Sequence, residues 1–517
     1  MKFKKRIIRP HAAWFALAVI PVGAVLIAVS SFGPGISSDG IFYYAAANNF
    51  AAGKGLVDFR GSLLVHWPPL LSILLGGLKL MTGLDALVLA LGVNLLSYAA
   101  IFWGVLLLAR ESNLQRLFWP TILFLIVAFS SSLIGLASNV ASDVLFIALT
   151  LPFLVWLMRY FRSQDRKTLA AAALFVAAAS LLRYVGAALI VTGLVAIGIA
   201  NWKQWRKALA DTLVFGAISS FPVAAWAVGM NYGATGTLVG SRNLAAIQPM
   251  ENLLYSFSRM LHWFLPTAIT KLPYFVWIAI GIAVFVAAVI KRDEWRSFFR
   301  RLGDSKIILV LFTVIYLAFV VFTTFTRDHF ASYDDRYQLP LLFPVLIIVF
   351  FFIESLVLPK LGRFGTAGLA GGFLLFLAFH GFLTYRLVSQ SLNEGVTYYN
   401  VYNTRALNQS PFVTYLQSFD YEPGLRLYTN DPEALYFFTK RETRASLIMP
   451  EEIHDDRFYL RTEIGSWPGE PRAYLIWFTK YFNTLYVTPH RLSIVADVQQ
   501  IYAAQGGTLY QIAPKAP

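Results

Sequence analysis

Not one cysteine occurs among the 517 residues of the chain. Disulfide frameworks and thiolate metal sites are thereby excluded, while the compartment stays open. Charge is scarce as well: Asp, Glu, Lys and Arg together make up 14% of the chain, against about a quarter in soluble domains. No repeat period and no low-complexity run is present. What fills the space is apolar, 57% of all residues, gathered into runs of membrane length. That pattern predicts a polytopic α-helical membrane protein.

Spans are expected near 12–31, 86–109, 117–135, 143–160, 168–182, 184–200, 209–229, 273–290, 306–325, 338–357 and 363–385. At ~17–25 apolar residues per crossing this gives about eleven transmembrane helices, the two flanking Arg183 being short. The run 68–82 opens on Pro68 and Pro69 and ends at Thr82 and Gly83, and is read as a helix that dips into the membrane surface without crossing. The basic start MKFKKRIIRP imitates a signal peptide, but no small-residue cleavage site follows it, so the first helix is read as uncleaved.

The net charge of +15 points to topology and not to nucleic acid, because Lys and Arg fall in short loops between spans. Loops assigned to the inside carry 22 basic residues and those outside carry 9, although the outside loops are longer. The positive-inside rule then places the N-terminus in the cytoplasm and the tail outside, with the chain a multi-pass protein of the plasma (inner) membrane. Residues 1–385 form the membrane domain. Residues 386–517 are polar and without a spanning run, and are read as a small extracytoplasmic α/β domain. There Thr404 to Phe419 is predicted helical, and LRLYTN, AYLIWFT, TLYVT and GTLYQI are predicted strands. PEALYFF and VADVQQIYAA are predicted helical between them. This tail has no glycine-rich phosphate loop and no dinucleotide fingerprint.

The outer loops collect the residues that carry chemistry. The stretch Ser37 to Leu70 follows the first span with Asp39, an aromatic and Ala-rich interfacial helix, the turn Gly53, Lys54, Gly55, and then His66, Trp67 and two prolines. A plain connection needs only a few residues. Later outer turns add Asp143, then Arg183 and Tyr184, then Arg242, then Asp335, Arg336 and Tyr337. Carboxylates and arginines at one membrane surface suit a phosphorylated lipid substrate: the guanidinium fork matches phosphate, and a carboxylate removes a proton from an attacking hydroxyl.

In their order these segments (SSDG, HWPPL, ASDVLF, LLRYVG, DDRYQLPLLFP) resemble the C-type glycosyltransferases, particularly the bacterial relatives of protein O-mannosyltransferases and of lipid A and core-sugar transferases. The likeness covers roughly residues 10–385. It implies the GT-C fold, a polyprenyl-phosphate sugar donor, and transfer outside the cytoplasm to a glycan, lipid or protein acceptor. It also implies that the first-loop acid, Asp39, is the catalytic base, although Ser38 stands where the family often has a second acid. A divalent metal, used by some relatives, is left open as a cofactor.

Each residue has a plainer reading beside this one. Asp39 and Asp143 are each either catalytic or the cap of the helix that follows. Arg183 either binds the donor phosphate or snorkels to the headgroups. His66 is a packed residue before it is a ligand, and Trp67 an interface anchor before it stacks on a sugar. Asp335 and Arg336 make either a local ion pair or, through Arg336 and Tyr337, a donor contact. Asp328 and His329 alone do not define a metal site. Two rival classes remain, a flippase of lipid-linked sugars and a scaffold. Transporters place charge at midplane in repeated halves, which this chain lacks. A scaffold gives no reason for the acids and arginines.

Overall fold

The computed structural model describes residues 12–114, 118–240, 292–326, 335–360, 362–395, 401–448, 467–479 and 486–515, together with 260, 263, 460 and 464. The chain is mostly helical and separates into two compact units: residues 1–27, 65–71 and 90–389 form one, and 28–64, 72–89 and 390–517 the other.

Apolar length decides where helices run. The described helices are α1 (Ala12–Ala28), α2 (Ser38–Ala51), α3 (Leu70–Thr82), α4 (Ala86–Glu111), α5 (Phe118–Ala128), α6 (Ser131–Ala137), α7 (Asp143–Ser163), α8 (Arg166–Leu182), α9 (Ala187–Ala200) and α10 (Trp205–Trp226), followed by Arg292–Thr326, Leu342–Phe352 and Arg363–Glu394. Among the described residues six helices are long and apolar enough to cross a membrane, and α5 with α6 makes a seventh that is bent by 52°. Three apolar helices are shorter: Leu17–Ala28, α3 and Tyr184–Ala200. The run expected near 273–290 lies outside the described residues.

In the first unit α7 packs on α8 and α8 on α10, and the helix Arg292–Thr326 packs on α7 and α9. The alanine-rich face of α8 allows this close approach. Polar groups tie one end of the bundle. Asp211, fully buried on α10, accepts from the Tyr160 hydroxyl at 2.8 Å and from Arg166 Nε at 2.9 Å. Glu111, at the end of α4, accepts from Arg159 at 2.8 Å and Arg162 at 2.5 Å, both on the last turns of α7. These are the loops assigned inside by charge, and their acids pair part of the excess.

The second unit combines the first loop with the tail. Its sheet has the order β2-β1-β3-β5-β4, built from β1 (Arg426–Thr429), β2 (Arg444–Ala445), β3 (Ala473–Phe478), β4 (Ala496–Ala504) and β5 (Gly507–Pro514). The β2, β1 and β3 strands are parallel, and β5 is antiparallel to both neighbours. Asn403 Nδ2 donates to the Phe32 and Pro34 carbonyls at 2.5 and 2.9 Å, and Thr443 N to Phe59 O at 3.2 Å, fastening the first loop to the tail. The loop belongs to the same unit as the sheet, an association that neither stretch announces by itself.

Two tail expectations need correction, and of a third, the strand TLYVT, the described residues 486–488 form only an isolated bridge from Tyr486 to Ile448. VADVQQIYAA is strand β4, not a helix: Gly506, at φ +109°, turns the chain back so that β4 pairs with β5 from Ala496 to Ala504, with a register shift between Gln500 and Tyr502. Pairing there overrides a local pattern that reads either way. Thr404 to Phe419 is two short helices, Arg405–Asn408 and Pro411–Ser418, because Ser410 caps the second by accepting from Val413 N and Pro411 cannot continue the first.

Candidate functional site

In the first unit the site begins with the way the chain enters α7. Asn94, buried on α4, donates its amide to the carbonyls of Ala137 and Asn139 at 3.2 and 2.6 Å, fixing the turn that follows α6. The turn delivers Asp143 as the first residue of α7. Asp143 does not cap that helix. Its carboxylate, 4% exposed, is paired instead with the Arg183 guanidinium, itself 15% exposed.

Arg183 terminates α8 in an extended conformation and starts the one-turn helix Tyr184–Gly186 that leads into α9. The turn is tight because Gly186 lies against Ser180; a Cβ at Gly186 would meet the Ser180 Cα at 2.6 Å. The α8 helix and Tyr184–Ala200 have 17 residues each. At 1.5 Å per residue each is about 26 Å long, short of the ~30 Å apolar core of a bilayer. A pair of that length starting at one surface leaves the intervening turn below the other. What bears on the snorkelling reading is that the Arg183 guanidinium is largely buried and paired with Asp143.

The late turn brings the third component. Tyr337, on the one-turn helix Asp335–Tyr337, has its ring 5.3 Å from the Arg183 guanidinium and 5.0 Å from that of Arg336. Arg336 Nη2 also donates to the Tyr337 hydroxyl at 3.2 Å. Two guanidiniums and one described carboxylate, that of Asp143, thus meet across a tyrosine ring. The stacked forks are held in orientation by the ring. That set can bind an anion with several oxygens.

Behind it stands a neutral layer. Asn231 donates to the Tyr184 hydroxyl at 2.6 Å and to Leu238 O at 2.9 Å, and the Tyr184 hydroxyl donates to Val65 O at 3.3 Å. Asn231 sits in the π-helical turn Ala227–Tyr232 that interrupts the end of α10, a distortion common at functional sites. His66 and Trp67 are half-buried and edge to face at 5.5 Å, with the backbone of Gly240 (φ +77°) packed against the His66 ring.

Asp39 belongs to the second unit. It is the second residue of α2 and half-buried. The cap of α2 is Ser37, whose Oγ accepts from Gly40 N at 3.2 Å, so capping does not explain the acid. In the same unit the Tyr44 hydroxyl donates to Asp85 at 3.0 Å, and burial together with the Asp85 charge pushes its pKa up. Lys79 donates to Asn48 Oδ1 at 2.6 Å.

Arg242, Asp328 and His329 lie outside the described residues, as does the side chain of Asp335. Among the described residues no three His, Asp or Glu side chains converge to hold a metal ion. The Asp143 carboxylate is engaged by a guanidinium. One residue of this neighbourhood escaped the sequence pattern, Asn231.

No protein-family model and no curated protein matches the chain. Solved structures do. ArnT from Cupriavidus metallidurans in the apo state superposes with a TM-score of 0.62 at 13% identity, over 97% of this chain and 98% of that one. The same protein bound to undecaprenyl phosphate gives 0.61 at 13% identity and the same coverage. The archaeal oligosaccharyltransferase AglB from Archaeoglobus fulgidus, in complex with an inhibitory peptide and a dolichol-phosphate, gives 0.52 at 11% identity, over 90% of this chain and 69% of that one. At these identities the likeness establishes the fold, which is the GT-C fold that the ordered outer segments resemble.

Proposed function

We propose that the protein is an inverting glycosyltransferase that moves a sugar from a polyprenyl-phosphate donor to a hydroxyl of a glycan, lipid or protein acceptor. The observation that carries this reading is the buried Asp143–Arg183 pair stacked on Tyr337 beside Arg336, on a fold shared with a protein that binds undecaprenyl phosphate. About eleven helices cross the inner membrane, the N-terminus is cytoplasmic, and transfer takes place at the outer face, where residues 386–517 form the extracytoplasmic domain.

In this mechanism Asp39 takes the proton of the acceptor hydroxyl as its oxygen attacks the anomeric carbon from the face opposite the lipid phosphate. The bond to that phosphate breaks, and configuration inverts. Arg183, with Arg242 or Arg336, neutralises the charge that develops on the leaving oxygen; preorganised charge of this kind commonly lowers the barrier more than any other single effect. Asp143 holds the Arg183 fork in place. The donor arrives with its leaving group activated, so no general acid is required.

The test is a transfer assay on purified full-length protein in nanodiscs with a panel of polyprenyl-phosphate hexoses and pentoses. Product with inverted configuration and release of the polyprenyl phosphate are expected for one donor. Movement of the lipid-linked sugar between leaflets without any transfer would assign the chain to transport instead.

A further inference from the structure

The two faces of the tail sheet are built differently. One carries a packed core that includes Ala473, Leu475 and Ile512. On the other, pairing sets Tyr474, Gln511 and Gln499 side by side on β3, β5 and β4, since residues opposite one another across strands share a face. One step along, Ile476, Leu509 and Tyr502 form the next row. Tyr502 lies three residues after Gln499 and in a regular strand would point the other way. The register shift between Gln500 and Tyr502 returns it to the face of Gln499. Re-aiming a side chain is a common use of a bulge beside a functional site.

Aromatic rings run along this second face. Tyr502 stacks on Tyr415 at 3.7 Å, and Tyr415 meets Phe419 at 5.5 Å. Phe419 stands edge-on to Tyr474 at 5.4 Å and to Tyr421 at 4.9 Å. Tyr415 is on the helix Pro411–Ser418, which ends before Phe419. The side chains there are not sealed in: Gln499 is exposed, and Tyr415, Phe419, Tyr502 and Gln511 are half-buried. The Tyr421 hydroxyl, by contrast, is buried and has no hydrogen-bond partner among the described residues. Native folds leave few such groups unsatisfied.

A row of half-exposed rings bordered by amides has the complementarity of a sugar chain. The C–H face of a pyranose rests on the electron-rich face of a tyrosine or phenylalanine. Its hydroxyls both donate and accept, as the amide of a glutamine does. A purely apolar ligand would take those amides from water without replacing their hydrogen bonds. A peptide adding to β4 would need a regular edge, and the bulge interrupts it.

We propose that this face of the tail binds a glycan chain, with Tyr502 and Phe419 as stacking surfaces and Gln499 and Gln511 as partners of its hydroxyls. The inference rests on the tail alone. The transfer reaction proposed above calls on none of these residues, so either can fail without the other.

The test is calorimetry on full-length protein in nanodiscs with three soluble oligosaccharides: cellohexaose, maltohexaose and chitohexaose. Saturable binding of at least one is expected. In Tyr502→Ala its affinity should fall roughly tenfold, the scale of one aromatic contact. Gln499→Leu, an exposed exchange that leaves the stacked rings in place, should weaken it by a similar factor. Gln500→Ala is the control, because Gln500 pairs with Tyr510 on the opposite face, and should bind as wild type does. No saturable binding of any of the three overturns the inference. So does binding that Tyr502→Ala and Gln499→Leu both leave unchanged, which places the glycan elsewhere.

Discussion

Asp39 is a half-buried acid on the first turn of a helix that Ser37 already caps. Its two readings therefore separate by substitution. Asp39→Asn keeps the size of the side chain, and Ser37 keeps the cap, so folding and binding of the lipid-phosphate donor should be as in wild type. Transfer should fall ~10²–10⁴-fold, the usual loss of a general base; near-normal turnover would leave Asp39 with a structural part only. For the buried pair the sign differs. Asp143→Ala strands the Arg183 charge and should destabilise the protein by about 3–5 kcal/mol, read as a lower thermal midpoint, whereas Arg183→Lys keeps a cation opposite Asp143 and loses only the fork. Donor affinity should accordingly drop further in Arg183→Ala than in Arg183→Lys. Small and equal effects of those two changes would return Arg183 to the snorkelling reading. Asp143 and Arg183 were legible in the sequence because a charge at the end of an apolar run is conspicuous. Asn231 was not, being overshadowed by its exposed neighbour Tyr232.

The helices followed from apolar length. The described helices α4, α7 and α8 begin and end within a few residues of the runs that predicted them, because the run and the helix answer to the same bilayer thickness. Strand β4 was illegible for the opposite reason: it is an edge strand of mixed burial whose partner, β5, and not its own pattern, decides its conformation. The turn between α8 and α9 is the element on which the site depends, and Gly186 sets it. Gly186→Ala drives a Cβ onto the Ser180 backbone, and either α8 or the Arg183 turn must yield. Expected is a loss of about 1–3 kcal/mol in stability from overpacking, together with weaker donor binding. Gly198→Ala, on α9 with open space around its Cα, is the control and should leave both unchanged or slightly improve stability. Equal behaviour of the two variants would mean that the close approach at Ser180 does not hold the turn.

At the scale of the whole molecule, the orientation of the chain in the membrane decides which loops share a compartment, and so whether Asp39, Asp143 and Arg183 face one side. Basic residues in short loops resist translocation and so fix that orientation. The bias survives local pairing, because Arg159, Arg162 and Arg166 find acids nearby while Lys203 and Arg206 lie over the exposed Trp202 and Trp205 rings, residues suited to the interface. The absence of cysteine makes the arrangement testable with single thiols. Ser163→Cys, exposed at the end of α7, should react with a membrane-impermeant maleimide only after cells are permeabilised. Ser418→Cys, exposed at the end of the helix Pro411–Ser418, should react in intact cells. Both exchanges are close in size and leave every charge in place, so neither alters the bias it measures. Labelling of Ser163→Cys from outside would invert the topology, move Asp143 and Arg183 to the cytoplasmic face, and remove the ground for transfer at the outer one.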